Sequence, residues 1–146
     1  MTTIKICGIT SIKDALICGE LGVDFIGINL CPQSPRFVDM RKAEAIVNKL
    51  KQKFSRIKIV GVFQNEQEKE IIHISKKTGI DLIQLHGDEG KSYQFKIKKK
   101  TGKDLIKAVR LKNKSSFKNI NEVPADFVLF TIASAFDIST NLGDLG

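Results

Sequence analysis

An α/β fold in which short strands alternate with amphipathic helices is what this sequence predicts, and three observations predict it. Six short runs rich in β-branched and other apolar residues recur along the chain. Longer segments with apolar residues at helical spacing separate them. Capping residues and glycines fall where one kind of segment gives way to the other. Strands that alternate with helices pair in parallel through right-handed crossovers, which leaves a doubly wound sheet or a (β/α)8 barrel. The short interval between strands suits compact barrel units but does not decide between the two.

The first run, Ile4 to Cys7, is followed by a helical segment over Ser11 to Glu20, with Thr10 or Ser11 as its N-cap and Gly22 beyond its end. Phe25 to Leu30 is the second run, and the helix over Arg41 to Phe54 after it has Asp39 as a suitable cap. The third run, Ile57 to Phe63, precedes a helix over Gln67 to Lys77 that Gly79 stops. Leu82 to Leu85 leads into a helix over Gly90 to Lys100. Leu105 to Val109 is the fifth strand, a weaker helical pattern covers Ser115 to Asn121, and Phe127 to Phe130 is the sixth strand. No linker interrupts the series, so residues 1–146 read as a single domain.

Composition narrows the function. The longest mainly apolar run, Phe127 to Phe136, has ten residues and contains Thr131 and Ser134, far short of the roughly 18 that a membrane-spanning helix needs. Met1-Thr2-Thr3-Ile4-Lys5 has no basic and apolar leader, so a cytoplasmic protein is expected. Cys7, Cys18 and Cys31 stand 11 and 13 residues apart, which suits neither a disulfide framework nor a zinc site. With two scattered histidines, no metal is expected. The formal charge of +8 comes from lysines spread over the helical segments, and with no Trp and one Tyr the chain lacks the basic and aromatic interleaving of a nucleic-acid surface. The charge reads as a mild preference for anions. The one tight cluster, Lys96 with Lys98 to Lys100, sits near a helix end, where cations suit the macrodipole.

In a strand-and-helix repeat the ligand site lies at the carboxyl ends of the strands. Strand one ends Lys5-Ile6-Cys7-Gly8-Ile9-Thr10, and strand two leads into Ser34-Pro35-Arg36. Strand three contains Val60-Gly61-Val62-Phe63 and ends Gln64-Asn65, and strand four ends Gln84-Leu85-His86-Gly87-Asp88-Glu89. Together with Gly22-Val23-Asp24-Phe25-Ile26-Gly27, these strings resemble the phosphoribosylanthranilate isomerase family, in family order over nearly the whole chain. The resemblance selects the (β/α)8 TIM-barrel type of fold, here incomplete, with about six βα units.

The resemblance implies an Amadori rearrangement of N-(5'-phosphoribosyl)anthranilate in tryptophan biosynthesis, with no cofactor. Such chemistry needs an acid for the ring oxygen and a base for the C2 proton. By resemblance Cys7 is the base, with Lys5 and Arg36 as charges that favour its thiolate if the fold brings them close. Arg36 resembles the residue that grips the anthranilate carboxylate with its planar fork of donors. His86 stands between two readings, a hydrogen-bond donor at the rim of the substrate site and a residue that only satisfies backbone carbonyls. Asp88 and Glu89 read as caps of the next helix, His73 as structural and Cys18 as core. Cys31 and Arg110 sit in loops near the expected site.

Two departures from the family's pattern stand out. The family closes strand six with an acidic Asp, and Phe130 occupies that place here. Asp126 opens the strand at the opposite face, and Asp137 is a candidate substitute from the following loop. Gly143-Asp144-Leu145-Gly146 resembles only part of the family's glycine-rich loop, and strands seven and eight with their phosphate site do not follow. A natural truncation, a frameshift and a deliberately shortened form all fit this pattern. The expectation is reduced activity, with strands one and six left as open edges that invite self-association or pairing with another chain.

Overall fold

The computed structural model describes residues 2–111 and 123–132. The helix expected over Ser115 to Asn121, and Asp137 with the glycine-containing stretch 143–146, lie outside the described residues. The elements run β1 (Lys5–Cys7), α1 (Ile12–Glu20), β2 (Phe25–Asn29), α2 (Met40–Lys53), β3 (Lys58–Phe63), α3 (Glu68–Thr78), β4 (Leu82–Leu85), α4 (Lys91–Thr101), β5 (Asp104–Leu111) and β6 (Phe127–Ile132).

Local signals explain the helix ends. Ser11 Oγ accepts the Asp14 N–H at 3.1 Å and Asp39 Oδ1 accepts the Lys42 N–H at 3.0 Å, so both are N-caps, as expected. Gly79 closes α3 in the left-handed conformation at φ 72°, where a side chain would be strained.

All six strands are parallel, and their order in the sheet is their order in sequence. A doubly wound sheet requires a point where the strand order reverses. Among the described residues there is none, so the sheet is the wall of a barrel. Ile26, Ile28, Ile59, Ile83 and Leu105 face outward and pack against Ala43, Ile46, Leu50, Ile71 and Ile97 of the helices. On the concave side Val60, Leu82 and Ile106 pack with Phe25 and Leu129, and the Phe25 and Phe127 rings meet edge to face at 6.5 Å.

Among the described residues β1 and β6 each pair on one side only. Ile4 and Ile6 beside the first edge, and Phe127 and Phe130 beside the other, are all more than a third exposed. Cys18 packs against the outer core as expected, and His73 is exposed on α3.

Candidate active site

Cys7 is the last residue of β1 and its thiol is exposed at the carboxyl end of the sheet. It sits opposite Gly27 of β2, where a Cβ would come within 2.7 Å of Sγ, so the glycine makes room for the thiol. Gly8 follows at φ +80°, and its N–H and that of Ile9 both donate to Gly27 O. Arg36 lies directly over Gly8, since a Cβ there would stand 2.6 Å from Arg36 Cδ and 2.8 Å from Nη1. Two residues 28 positions apart in sequence are thereby neighbours.

The loop that carries Arg36 is built by Asn29 and Ser34. Asn29 Nδ2 donates to Ser34 Oγ at 2.9 Å, and that oxygen also accepts the Arg36 N–H at 3.1 Å. Asn29 Oδ1 accepts the Cys31 N–H, while its carbonyl takes the Val38 N–H. Cys31 is buried, with Sγ donating to Gln33 Oε1 at 3.1 Å. It lines a hollow with Ser34, Gln64 and His86.

Gln64 and His86 also line a second cavity of about 360 Å³, whose other walls include Asp88, Arg110 and Thr131. His86 is half-buried, with Nδ1 3.1 Å from Gln84 Nε2. Burial first, then the positive charges of Lys107, Arg110 and Lys5, hold its imidazole below the ordinary histidine range. Gln84 is buried on the concave face, and its Oε1 has no hydrogen-bond partner. An orphaned acceptor beside a polar cavity suits a bound water or ligand donor.

The structure corrects three readings of the sequence. Thr131, not Phe130, is the β6 residue that reaches the cavity. The register pairs Thr131 with Arg110, and Leu129 packs on the concave face, so alternation turns Phe130 to the other side. Asp88 and Glu89 do not cap α4, whose N-cap is Gly90 without a side-chain bond. Instead Glu89 is buried, with Lys107 Nζ donating to its Oε2 at 2.8 Å and the N–H groups of Asn65 and Gly87 donating to the carboxylate. Arg110 lies inside β5 and not in the loop after it, because the strand continues to Leu111.

Gln64, Gln84, Thr131 and Lys107 carry parts of this site that the sequence reading left without roles. Gln84 carries a signal, a polar residue two positions before His86 on one face of an apolar strand, whereas Gln64, Thr131 and Lys107 follow the apolar Val62, Leu129 and Leu105 at that spacing and carry none. Asp126 stands at the other end of β6, where it accepts the Leu105 N–H at 2.9 Å and pairs with Lys98 at 2.5 Å. It lies at the opposite end of the strand from the cavity, as expected.

Comparison with known proteins agrees with this geometry. The family profile for N-(5'phosphoribosyl)anthranilate (PRA) isomerase matches residues 4–135. An N-(5'-phosphoribosyl)anthranilate isomerase of Caldanaerobacter subterraneus subsp. tengcongensis is 36% identical over 130 residues, covering 89% of this chain and 61% of the relative. The phosphoribosyl anthranilate isomerase structure from Thermotoga maritima superposes with a TM-score of 0.81 at 31% identity, over 90% of this chain and 62% of the other. A phosphoribosyl anthranilate isomerase in complex with reduced 1-(o-carboxyphenylamino)-1-deoxyribulose 5-phosphate gives 0.82 at 29% identity, over 96% and 70%. The chain thus spans about three-fifths of the length of curated relatives that it matches over nearly nine-tenths of its own.

Proposed function

The chain belongs to the phosphoribosylanthranilate isomerase family, and from that premise we propose that it isomerises N-(5'-phosphoribosyl)anthranilate to 1-(2-carboxyphenylamino)-1-deoxyribulose 5-phosphate in the tryptophan pathway. The observation that carries this reading is the juxtaposition of an exposed thiol and a guanidinium at the carboxyl end of a barrel wall.

The reaction moves oxidation state from one carbon to its neighbour, so it balances without a redox partner. A proton delivered to the ring oxygen lets the C1–O bond break, and the nitrogen lone pair forms an iminium at C1. A base then takes the C2 proton, and the C–H electrons form the enolamine. Tautomerisation, with proton loss from the C2 hydroxyl and proton gain at C1, gives the aminoketose.

Cys7 is the base in this scheme, and its thiolate becomes a thiol as it takes the proton. Arg36, pinned over Gly8 by the Ser34 hydroxyl, holds the anthranilate carboxylate through its fork of donors. Of the residues on the larger cavity, His86 and Asp88 carry the side chains able to hold and deliver a proton to the ring oxygen. Thr131 offers only a hydroxyl.

The exposed apolar residues along the two sheet edges make a second copy of the chain, or another chain, the partner we assign to those edges. Light scattering of the purified chain should give a mass above that of a monomer; a monodisperse monomer contradicts it. No helix among the described residues is long and apolar enough to cross a membrane. The site is read as one working in the cytoplasm.

The test of the enzymatic reading supplies N-(5'-phosphoribosyl)anthranilate to the full chain and follows its consumption. Turnover that the Cys7→Ala variant lacks supports the proposal. A folded protein that neither consumes nor binds the compound overturns it.

A further inference from the structure

The ion pair between Glu89 and Lys107 is the most buried in the described residues, with side chains 3% and 10% exposed. Such a pair is weak evidence for stability, because desolvation offsets most of its attraction. Its remaining contacts say what it does. Glu89 accepts the N–H of Asn65, just after β3, at 2.8 Å, and the N–H of Gly87, just after β4, at 3.0 Å. Lys107 Nζ, rising from β5, donates to Gly87 O as well as to Glu89.

Asn65 completes the knot. It adopts a left-handed φ of 50°, and its Oδ1 accepts the Asp88 N–H at 2.8 Å. A Cβ on Gly87 would stand 2.3 Å from that oxygen, so only glycine fits beneath it. The carboxyl ends of β3 and β4 are joined to the middle of β5, and the segment held between them carries His86 and Asp88, two walls of the larger cavity.

We propose that Glu89 and Lys107 are positioning residues of this site, a buried charged clamp that sets the place of His86 and Asp88 and the field in which His86 works. The inference rests on the reading above that this cavity receives the substrate. The charged groups around His86 are Lys5 from β1, Lys107 and Arg110 from β5, and Glu89 and Asp88 from its own loop. Lys107 disfavours the imidazolium and Glu89 favours it. The two members of the clamp therefore act on His86 with opposite sign, which a purely mechanical brace does not do.

The test follows the His86 ring by 1H–15N NMR titration in the full chain, with His73→Gln to assign the resonances. Lys107→Met should raise the His86 midpoint and Glu89→Gln should lower it. Two shifts of the same sign, or no shift in either, overturn the proposal. If Lys107→Met does not fold, the isosteric Glu89→Gln and the double variant Lys107→Met/Glu89→Leu decide. The double variant replaces the pair with apolar volume and should keep or raise the urea midpoint. Its kcat/KM for N-(5'-phosphoribosyl)anthranilate should still fall at least tenfold, with amide exchange at Gly87 and Asp88 faster by a similar factor. Full stability together with unchanged kcat/KM overturns the proposal. Should the unmodified chain show no turnover, the enzymatic reading fails by itself, and the two His86 shifts still decide for or against the clamp.

Discussion

The two ends of the sheet are built on different rules. At the amino end one device occurs three times. Asp24, Asp81 and Asp126 each precede an even-numbered strand, and each accepts the N–H of a residue near the start of the preceding strand: Ile4 at 2.8 Å, Ile59 at 2.8 Å and Leu105 at 2.9 Å. The backbone N–H of each aspartate also donates to the carbonyl of that same residue. At the carboxyl end nothing repeats. Cys7, Asn29, Gln64, His86, Arg110 and Thr131 are six different residues at six successive strand ends. Repetition marks the end whose task is the same in every unit, satisfying the backbone where a strand begins. Variety marks the end where each position has a separate task, which is the division of labour expected of barrels.

The largest effect should come from the carboxyl end and should leave stability alone. Cys7→Ala removes the proposed base, and the loss of one proton-transfer group costs about 10² to 10⁴ in rate. Because the thiol is exposed, the urea midpoint should not move. A variant that keeps turnover within a few-fold of the unmodified chain assigns the base elsewhere. Gly87→Ala should affect both properties. Its Cβ would meet Asn65 Oδ1 at 2.3 Å and the Asn65 backbone nitrogen at 2.8 Å, so the knot between the two loops must open. Overpacking of this kind costs about 1–3 kcal/mol. Turnover should fall with it, because the displaced loop carries His86 and Asp88. Unfolding curves and kinetics on one preparation check both.

Much of this contrast was legible in the sequence. Apolar runs bounded by Ser11, Asp39 and Gly79 located the elements, and the string from Lys5 to Thr10 with Ser34-Pro35-Arg36 picked out two residues that the fold makes neighbours. Asp126 was read at the correct end of its strand. Strand phase near a strand end was harder. Matching the closing string put Phe130 in the site, whereas counting alternate positions from Phe127 through Leu129 leads to Thr131, and the register with Arg110 decides for the latter. Glu89 and Lys107 were illegible for another reason. An acid ahead of a helix and a lysine in a Lys-rich chain both resemble ordinary surface residues. Only the close approach of the ends of β3 and β4 to the middle of β5 turns them toward each other.

At the amino end the expected effects are smaller and reversed in kind. Asp81→Ala leaves the buried Ile59 N–H without its carboxylate and removes the ion-pair partner of Lys51 at 2.8 Å, which keeps its bond to Gly79 O. A buried donor left unsatisfied costs about 1–3 kcal/mol. Turnover measured well below the new melting temperature should stay within about twofold. A large loss of turnover without a loss of stability would break the division between the two ends.

The smallest effect concerns acid. Burial works against the charged form of Asp126, but the Lys98 ammonium and the Leu105 N–H outweigh it and hold the carboxyl below the ordinary aspartate range. A group whose folded pKa lies below its unfolded value of about 3.9 stabilises the fold fully above that value. The contribution fades as pH drops through the lower, folded value. Asp126→Asn keeps an acceptor for Leu105 but cannot titrate. Its stability deficit against the unmodified chain should therefore be present at neutral pH and shrink below about pH 4, when urea midpoints are compared across that range. Lys98→Met should show the same convergence, since it removes the charge that depresses the carboxyl. A deficit that stays constant with pH would mean that Asp126 acts only as a hydrogen-bond acceptor, and that the charge on the amino-end bracket adds nothing to what its geometry provides.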